Sequence, residues 1–159
     1  MGAATDILVK DDATSPVEYT FIPANDKAGA FWRTKIVNVP FDGQMKLWFS
    51  EEVVKDGSYR RVVKVEVPVM ETLGAAGTSA GYVAPPKVAY RETHIHTTFS
   101  SGRATQADRA NSLKIALAFI QGASSTTGTG TLDNAAAGDA FKASVAPGVN
   151  FLINGVMPQ

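Results

Sequence analysis

The sequence predicts an α+β fold: an antiparallel meandering β-sheet with an amino-terminal hairpin and two carboxy-terminal helices packed on one of its faces. Three observations lead there. Residues Tyr59–Met70 alternate along a long strand, an Asp56-Gly57 turn signal stands just before them, and the apolar residues after Gly102 switch to the three-and-four spacing of a helix. A strand that is solid valine on one face and charged on the other belongs to a sheet covered on a single side, not to the doubly buried parallel sheet of a nucleotide-binding fold. With 159 residues and 45% hydrophobic content, the chain suits one domain spanning 1–159.

The elements follow in order. Thr5–Val9 and Val17–Ile22 are apolar-rich runs separated by Asp11, Asp12, Ser15 and Pro16, which predicts an edge strand or hairpin. Pro23, Asn25, Asp26 and Gly29 mark a turn, after which Trp32–Val39 has strand composition as far as Pro40, Asp42 and Gly43. In Met45–Ser50, Met45, Leu47 and Phe49 are expected in the core, with Lys46, Trp48 and Ser50 facing outward. Lys55-Asp56-Gly57-Ser58 predicts a hairpin, because Asp-Gly readily supplies positive backbone φ. On the strand that follows, Arg61, Val63, Val65, Val67 and Val69 share one face and Arg60, Val62, Lys64, Glu66 and Pro68 the other. Pro68 requires an edge, a strand end or a bulge nearby.

Gly74–Gly81 reads as a small-residue loop, followed by Pro85-Pro86 and a last strand, Lys87–Phe99. That strand separates Tyr90, Glu92, His94, His96 and Thr98 from Ala89, Arg91, Thr93, Ile95, Thr97 and Phe99. A helix is expected after Ser100-Ser101-Gly102 as far as Gln121, its stripe of Ala110, Leu113, Ala116, Leu117 and Ile120 seeking the valine face while Asp108, Arg109, Asn111 and Lys114 stay wet. Gly122–Thr131 reads as a Ser/Thr/Gly linker, and Leu132–Val145 as a second helix with Asp133 as its cap, ended by Ala146-Pro147-Gly148. Phe151, Leu152, Ile153, Val156 and Met157 then form an apolar tail that needs burial.

Composition narrows the function. The absence of cysteine excludes disulfides, thiolate zinc sites and cysteine nucleophiles, which leaves a cytoplasmic setting as the default. Residues 1–16 hold only Ile7, Leu8 and Val9 as an apolar group, too short for a signal-sequence core, and no window approaches the roughly 20 apolar residues of a membrane span. Lys plus Arg and Asp plus Glu number 15 each, so whole-chain charge does not ask for nucleic acid, though a local basic face still can.

Several patterns invite a chemical reading. His94 and His96 stand on one strand face at ligand spacing with Glu92 beside them, but two histidines are all the chain owns and no HExxH helix accompanies them. A polar sheet surface is the simpler account. No GxSxG motif supports a serine nucleophile, and Gly128-Thr129-Gly130 lacks the GK[ST] of a phosphate loop, so no catalytic residue and no cofactor is expected. The outward set Lys46, Trp48, Arg60, Lys64, Tyr90, His94 and His96 is different. If the three strands are neighbours, cations that neutralise phosphates and rings that stack on bases meet on one sheet face, opposed only by Glu66 and Glu92.

At Val63-Lys64-Val65-Glu66-Val67-Pro68, extending back through Tyr59-Arg60-Arg61 and forward through Tyr90–Phe99 to the helix, the sequence resembles the coat proteins of small single-stranded RNA bacteriophages. The resemblance covers most of the chain and implies an intertwined homodimer with no stable monomer. Two meanders would join into one sheet, helices of each subunit would cross the other, and dimers would close an icosahedral shell around genomic RNA. It also implies synthesis in the bacterial host cytoplasm, residence in the virion capsid, no membrane partner, and an RNA hairpin whose binding represses replicase translation. By this resemblance Lys46, Trp48, Arg60, Lys64, Glu66, Tyr90, Glu92 and His94 face RNA, while Val63, Val65, Val67, Leu113, Leu117 and Ile120 serve the core and dimer packing. Two registers of the last strand stay open: Tyr90 and Glu92 take the base-stacking and polar positions, or a shift of one residue puts Ala89 and Arg91 there. Val62 departs from the polar adenine-contacting residue of certain members, which bears on hairpin specificity. Two rivals remain beside this reading: a non-viral oligomeric β-sheet interaction protein, and a small metal-dependent enzyme using His94 and His96.

Overall fold

The computed structural model describes residues 5–26, 29–71, 86–121 and Phe151. A six-stranded sheet runs in chain order, β1 (Ile7–Lys10), β2 (Glu18–Asp26), β3 (Gly29–Thr34), β4 (Lys46–Val53), β5 (Tyr59–Met70) and β6 (Val88–Ser100), each strand lying beside the one before it. The pairs from β2 to β6 are all antiparallel. This is the expected meander. Alternation of β-branched and polar residues in β5 favours the pleat, and the short connection between Val53 and Tyr59 returns the chain from β4 to β5.

The connection from β1 to β2 is organised by Asp11, whose Oδ1 accepts the amides of Ala13 at 3.2 Å and Val17 at 2.8 Å while its own amide donates to Val17 O at 3.1 Å. The turn expected at Pro23–Gly29 is shorter than its composition suggests. β2 continues through Pro23, which pairs with Trp32, to Asp26, which pairs with Gly29. Proline is tolerated near a sheet edge, and β1, at 4 residues, borders only part of the 9-residue β2.

The strand expected over Trp32–Val39 ends at Thr34 instead. Ile36–Val39 turns, with the amide of Val39 donating to Ile36 O at 3.3 Å and Asn38 at φ 62, and a 3₁₀ turn follows at Phe41–Gly43. The cause is Gln44. Its Oε1 accepts from Thr34 Oγ1 at 3.1 Å and from the Ile36 amide at 2.8 Å, while its Nε2 donates to Ile36 O at 3.0 Å and Val39 O at 2.7 Å. One buried amide thus satisfies the backbone that a strand ladder would otherwise have to satisfy. Gly43 fits against Val39 and Met70, where a Cβ would come within 2.7 Å of the Met70 sulfur.

Between β4 and β5 the Asp-Gly signal holds, in a longer form than a two-residue loop. The Gly57 amide donates to Val54 O at 2.9 Å and the Val54 amide to Ser58 O at 2.8 Å, with Gly57 alone at positive φ, 78. This is a turn closed by a left-handed glycine, the geometry of a G1 bulge. Asp56 accepts from the Ser58 hydroxyl at 2.6 Å and the Ser58 amide at 2.9 Å, and these bonds hold its carboxyl below the usual aspartate range. The irregularity demanded by Pro68 occurs two residues on, where the β5–β6 register shifts between Val69 and Met70.

One helix, α1 (Gln106–Gln121), is described; the expected second helix Leu132–Val145, the loop Gly74–Gly81 and the linker Gly122–Thr131 lie outside the described residues. Thr105 caps α1. Its hydroxyl accepts the Asp108 amide at 3.2 Å, and the Asp108 carboxylate in return accepts the Thr105 amide at 2.9 Å and hydroxyl at 2.8 Å, a reciprocal capping box. Among the described residues no helix is long and apolar enough to cross a membrane.

Candidate functional site

Residues directly opposite in an antiparallel ladder project to the same side, so the strand registers sort every side chain onto one of two faces. In β5, Arg60, Val62, Lys64, Glu66 and Pro68 share a face. Lys64 pairs with Trp48 and Glu66 with Lys46 on β4, and through them the face gains Phe31 and Arg33 on β3. On β6 it gains Arg91, Thr93, Ile95, Thr97 and Phe99, opposite Pro68, Glu66, Lys64, Val62 and Arg60.

The other face carries Val63, Val65, Val67 and Val69. Opposite these four stand His96, His94, Glu92 and Tyr90 in turn. This corrects the expectation that Tyr90, Glu92 and His94 lie with Lys64: the observed register sends them to the valine side, and Arg91 and Thr93 stand on the face of Lys64 instead. A shift of one residue flips every side chain of a strand. Because β6 is polar on both sides, its own periodicity could not choose between the two registers left open by the sequence. Among the described residues no group of three His, Cys, Asp or Glu side chains could hold a metal ion. His96 Nε2 lies 3.2 Å from Thr98 Oγ1.

Lys46 is corrected in another way. It stands on the face of Lys64, yet is only 8% exposed, with its Nζ 4.6 Å above the ring of Phe41. The Phe41 turn covers it, and Arg33 approaches the same ring at 5.3 Å. No alternation within β4 could announce this, because Phe41 arrives from the preceding loop.

What remains is a connected cluster of charges and rings. Trp48 packs on Phe31 with centroids 5.3 Å apart, and Lys64 Nζ lies 4.8 Å above the Trp48 ring. Lys64 Nζ is 3.3 Å from Glu66 Oε2, and Arg91 Nε is 3.3 Å from Glu66 Oε1. Arg60 Nη1 pairs with Glu52 Oε1 at 2.7 Å near the hairpin end, so its charge is already engaged. Arg91 also lines an open cavity of about 440 Å³ with Pro40, Asp42, Pro86, Lys87 and Val88. Sequence reasoning missed Phe31 and Arg33 as members of this face and reached Arg91 only through the second of the two registers left open; the signal for Phe31 and Arg33 is their register with Trp48 and Lys46, which only the ladder reveals. A surface of this kind can offer cations to phosphates and a π face to bases, and among the described residues it carries no nucleophile, base and oxyanion donor arranged for bond making.

Comparison with known proteins gives a family. The model of the Levivirus coat protein family matches residues 2–137. The chain is 45% identical to the protein of a virus-like particle of bacteriophage EMS014, with a TM-score of 0.83 over 99% of this chain and 100% of that one. A second structure, the bacteriophage EMS014 coat protein, gives 43% identity and a TM-score of 0.80 over the same shares. The capsid protein of bacteriophage GA shares the fold at 16% identity and a TM-score of 0.52, covering 74% of this chain and 84% of that one. None of the curated proteins compared with the chain matches it. The family match over most of the length, joined to this identity, shows that the chain belongs to the Levivirus coat protein family and is a structural protein of the virion capsid, not an enzyme.

Proposed function

We propose that the subunit dimerises, that its dimers close into a shell, and that the Lys64 face lines the interior against single-stranded viral RNA. The observation that carries the RNA reading is the joining of Lys64, Arg91, Trp48 and Phe31 on one sheet face by the registers of β3 to β6. Cations there neutralise phosphates, and the half-buried Trp48 ring, packed on the buried Phe31, and the Arg91 guanidinium offer planes on which unpaired bases stack.

Dimerisation is supported by the edge of the sheet. β6 is 13 residues long and ends the strand order among the described residues, so a second copy is the natural partner for the backbone groups of its outer edge. It is supported equally by the apolar side chains left wet. The four valines are only half-buried, and Leu113, Ile115, Phe119 and Ile120 of α1 are exposed. At roughly 25 cal/mol per Å², an interface above about 2,000 Å² can hold such subunits together firmly. Translational repression through an RNA hairpin is not part of this proposal, because Val62 departs from the polar adenine-contacting residue of certain family members.

Size-exclusion chromatography with absorbance at 260 and 280 nm, followed by electron microscopy, tests assembly and RNA content together. Lys64→Ala is expected to form particles but to bind RNA about tenfold more weakly, with the slope of log K against log salt reduced by roughly 0.7. Arg60→Ala should do less, since Glu52 already holds that charge. Unaltered RNA content and salt response in Lys64→Ala would remove the assignment of this face.

A further inference from the structure

Lys64 and Arg91, two cations that a phosphate would seek on this face, already share one anion. Glu66 reaches both at 3.3 Å, through Oε2 and Oε1 respectively, and its side chain is 16% exposed against 38% for Lys64 and 41% for Arg91. The arrangement follows from the ladder: Lys64 and Glu66 stand two residues apart on one face of β5, and Arg91, opposite Pro68, is the diagonal neighbour of Glu66. Lys64 is held a second time, 4.8 Å above the Trp48 ring, so its ammonium covers the surface on which a base would stack.

A carboxylate at the centre of a polyanion-binding face works against binding unless it has another task. We propose that Glu66 is a selectivity residue, an internal anion that occupies the phosphate position between Lys64 and Arg91 and suppresses binding of arbitrary RNA. A strand that offers one passing phosphate gains one cation contact and leaves Glu66 repelling it. A strand that engages Lys64, Arg91 and Trp48 together gains both cations and the ring, enough to displace the carboxylate's contacts. The effect is a threshold: every RNA loses affinity, and RNA of the wrong geometry loses the larger share of it. This inference rests on the RNA-facing reading of the Lys64 side of the sheet.

The test uses the full chain, freed of nucleic acid, and a labelled short oligouridine as a probe with no structure to recognise. Binding is measured against salt for the parent protein, Glu66→Gln and Lys64→Ala. Glu66→Gln should bind oligouridine about tenfold tighter at low salt, with the slope of log K against log salt steeper by roughly 0.7 to 1.4, corresponding to one or two newly neutralised phosphates. Loss of structure cannot steepen that slope, so the readout separates selectivity from a role in folding. If Glu66→Gln yields no soluble protein, Glu66→Ala carries the same expectation. Unchanged or weaker binding by the Glu66 variants, with Lys64→Ala still impaired, overturns the selectivity role and leaves the RNA-facing surface standing. Indifference of all variants, Lys64→Ala included, overturns the surface and the role together.

Discussion

At the scale of single residues, Gln44 does more for this fold than its position between two strands suggests. It is 4% exposed and every hydrogen-bonding site of its amide is used, on Thr34, on both backbone groups of Ile36 and on Val39 O. Gln44→Ala takes the partner from the buried Thr34 hydroxyl, the Ile36 amide and the Val39 carbonyl, while Ile36 O keeps the Val39 amide, which should cost about 2–4 kcal/mol. The Phe41 turn that covers Lys46 would loosen with it. Denaturant unfolding at fixed protein concentration checks this, and a shift of the midpoint below that of Thr93→Ala, an exposed change on the same sheet, is the expected result. The same residue explains the main error in reading this region. Ile36-Val37 has strand composition, and nothing local in the sequence reveals that a glutamine several residues on will capture that backbone. Glu66, by contrast, was legible as a residue of the charged face, although its two partners depend on a register that alternation in β6 left open.

At the scale of elements, legibility followed the strength of local chemistry. β5 and its Asp-Gly turn were readable because four valines on one face and a glycine at positive φ each have one comfortable solution. The helix was readable by spacing, but its start was placed too early, because the signal lies in Thr105-Gln106-Ala107-Asp108, the Thr-x-x-acid pattern of a capping box. Thr105→Ala should destabilise α1 by about 1 kcal/mol, seen as a loss of helical circular dichroism on mild heating. The cap is also pH-dependent. The Thr105 amide and then its hydroxyl, both donating to Asp108, hold that carboxyl below its ordinary value of 3.8. A depressed folded value means that the contribution is complete above pH 3.8 and disappears as pH falls through the lower folded value. Asp108→Asn should therefore weaken the helix at neutral pH and remove this part of its acid sensitivity, and a titration by circular dichroism separates the two variants.

At the scale of the whole molecule, the decisive fact is how few apolar side chains are buried among the described residues. Among the described residues the buried apolar side chains are Phe21, Phe31 and Leu47, whereas α1 leaves Leu113 47% and Phe119 72% exposed. Leu113, Leu117 and Ile120 follow one helical stripe, and Ile115 with Phe119 lies on the far side of the same helix, four residues apart. A helix that is apolar on opposite sides is stable only when both sides are covered, and each large side chain so covered contributes about 1.5–3 kcal/mol. In the proposed assembly that cover comes from other copies, so stability and association become one equilibrium. The unfolding midpoint should accordingly rise with protein concentration, since mass action favours the bound state. Phe119→Asp puts a charge where that reading demands apolar contact, while its own helix can still form. It is expected to abolish particles under conditions in which Lys64→Ala still yields them, because one change strikes the proposed association surface and the other the surface proposed to face RNA. Particles of normal size from Phe119→Asp in electron microscopy, with a concentration-independent midpoint, would show that the far side of α1 needs no partner and that the subunit folds as a monomer.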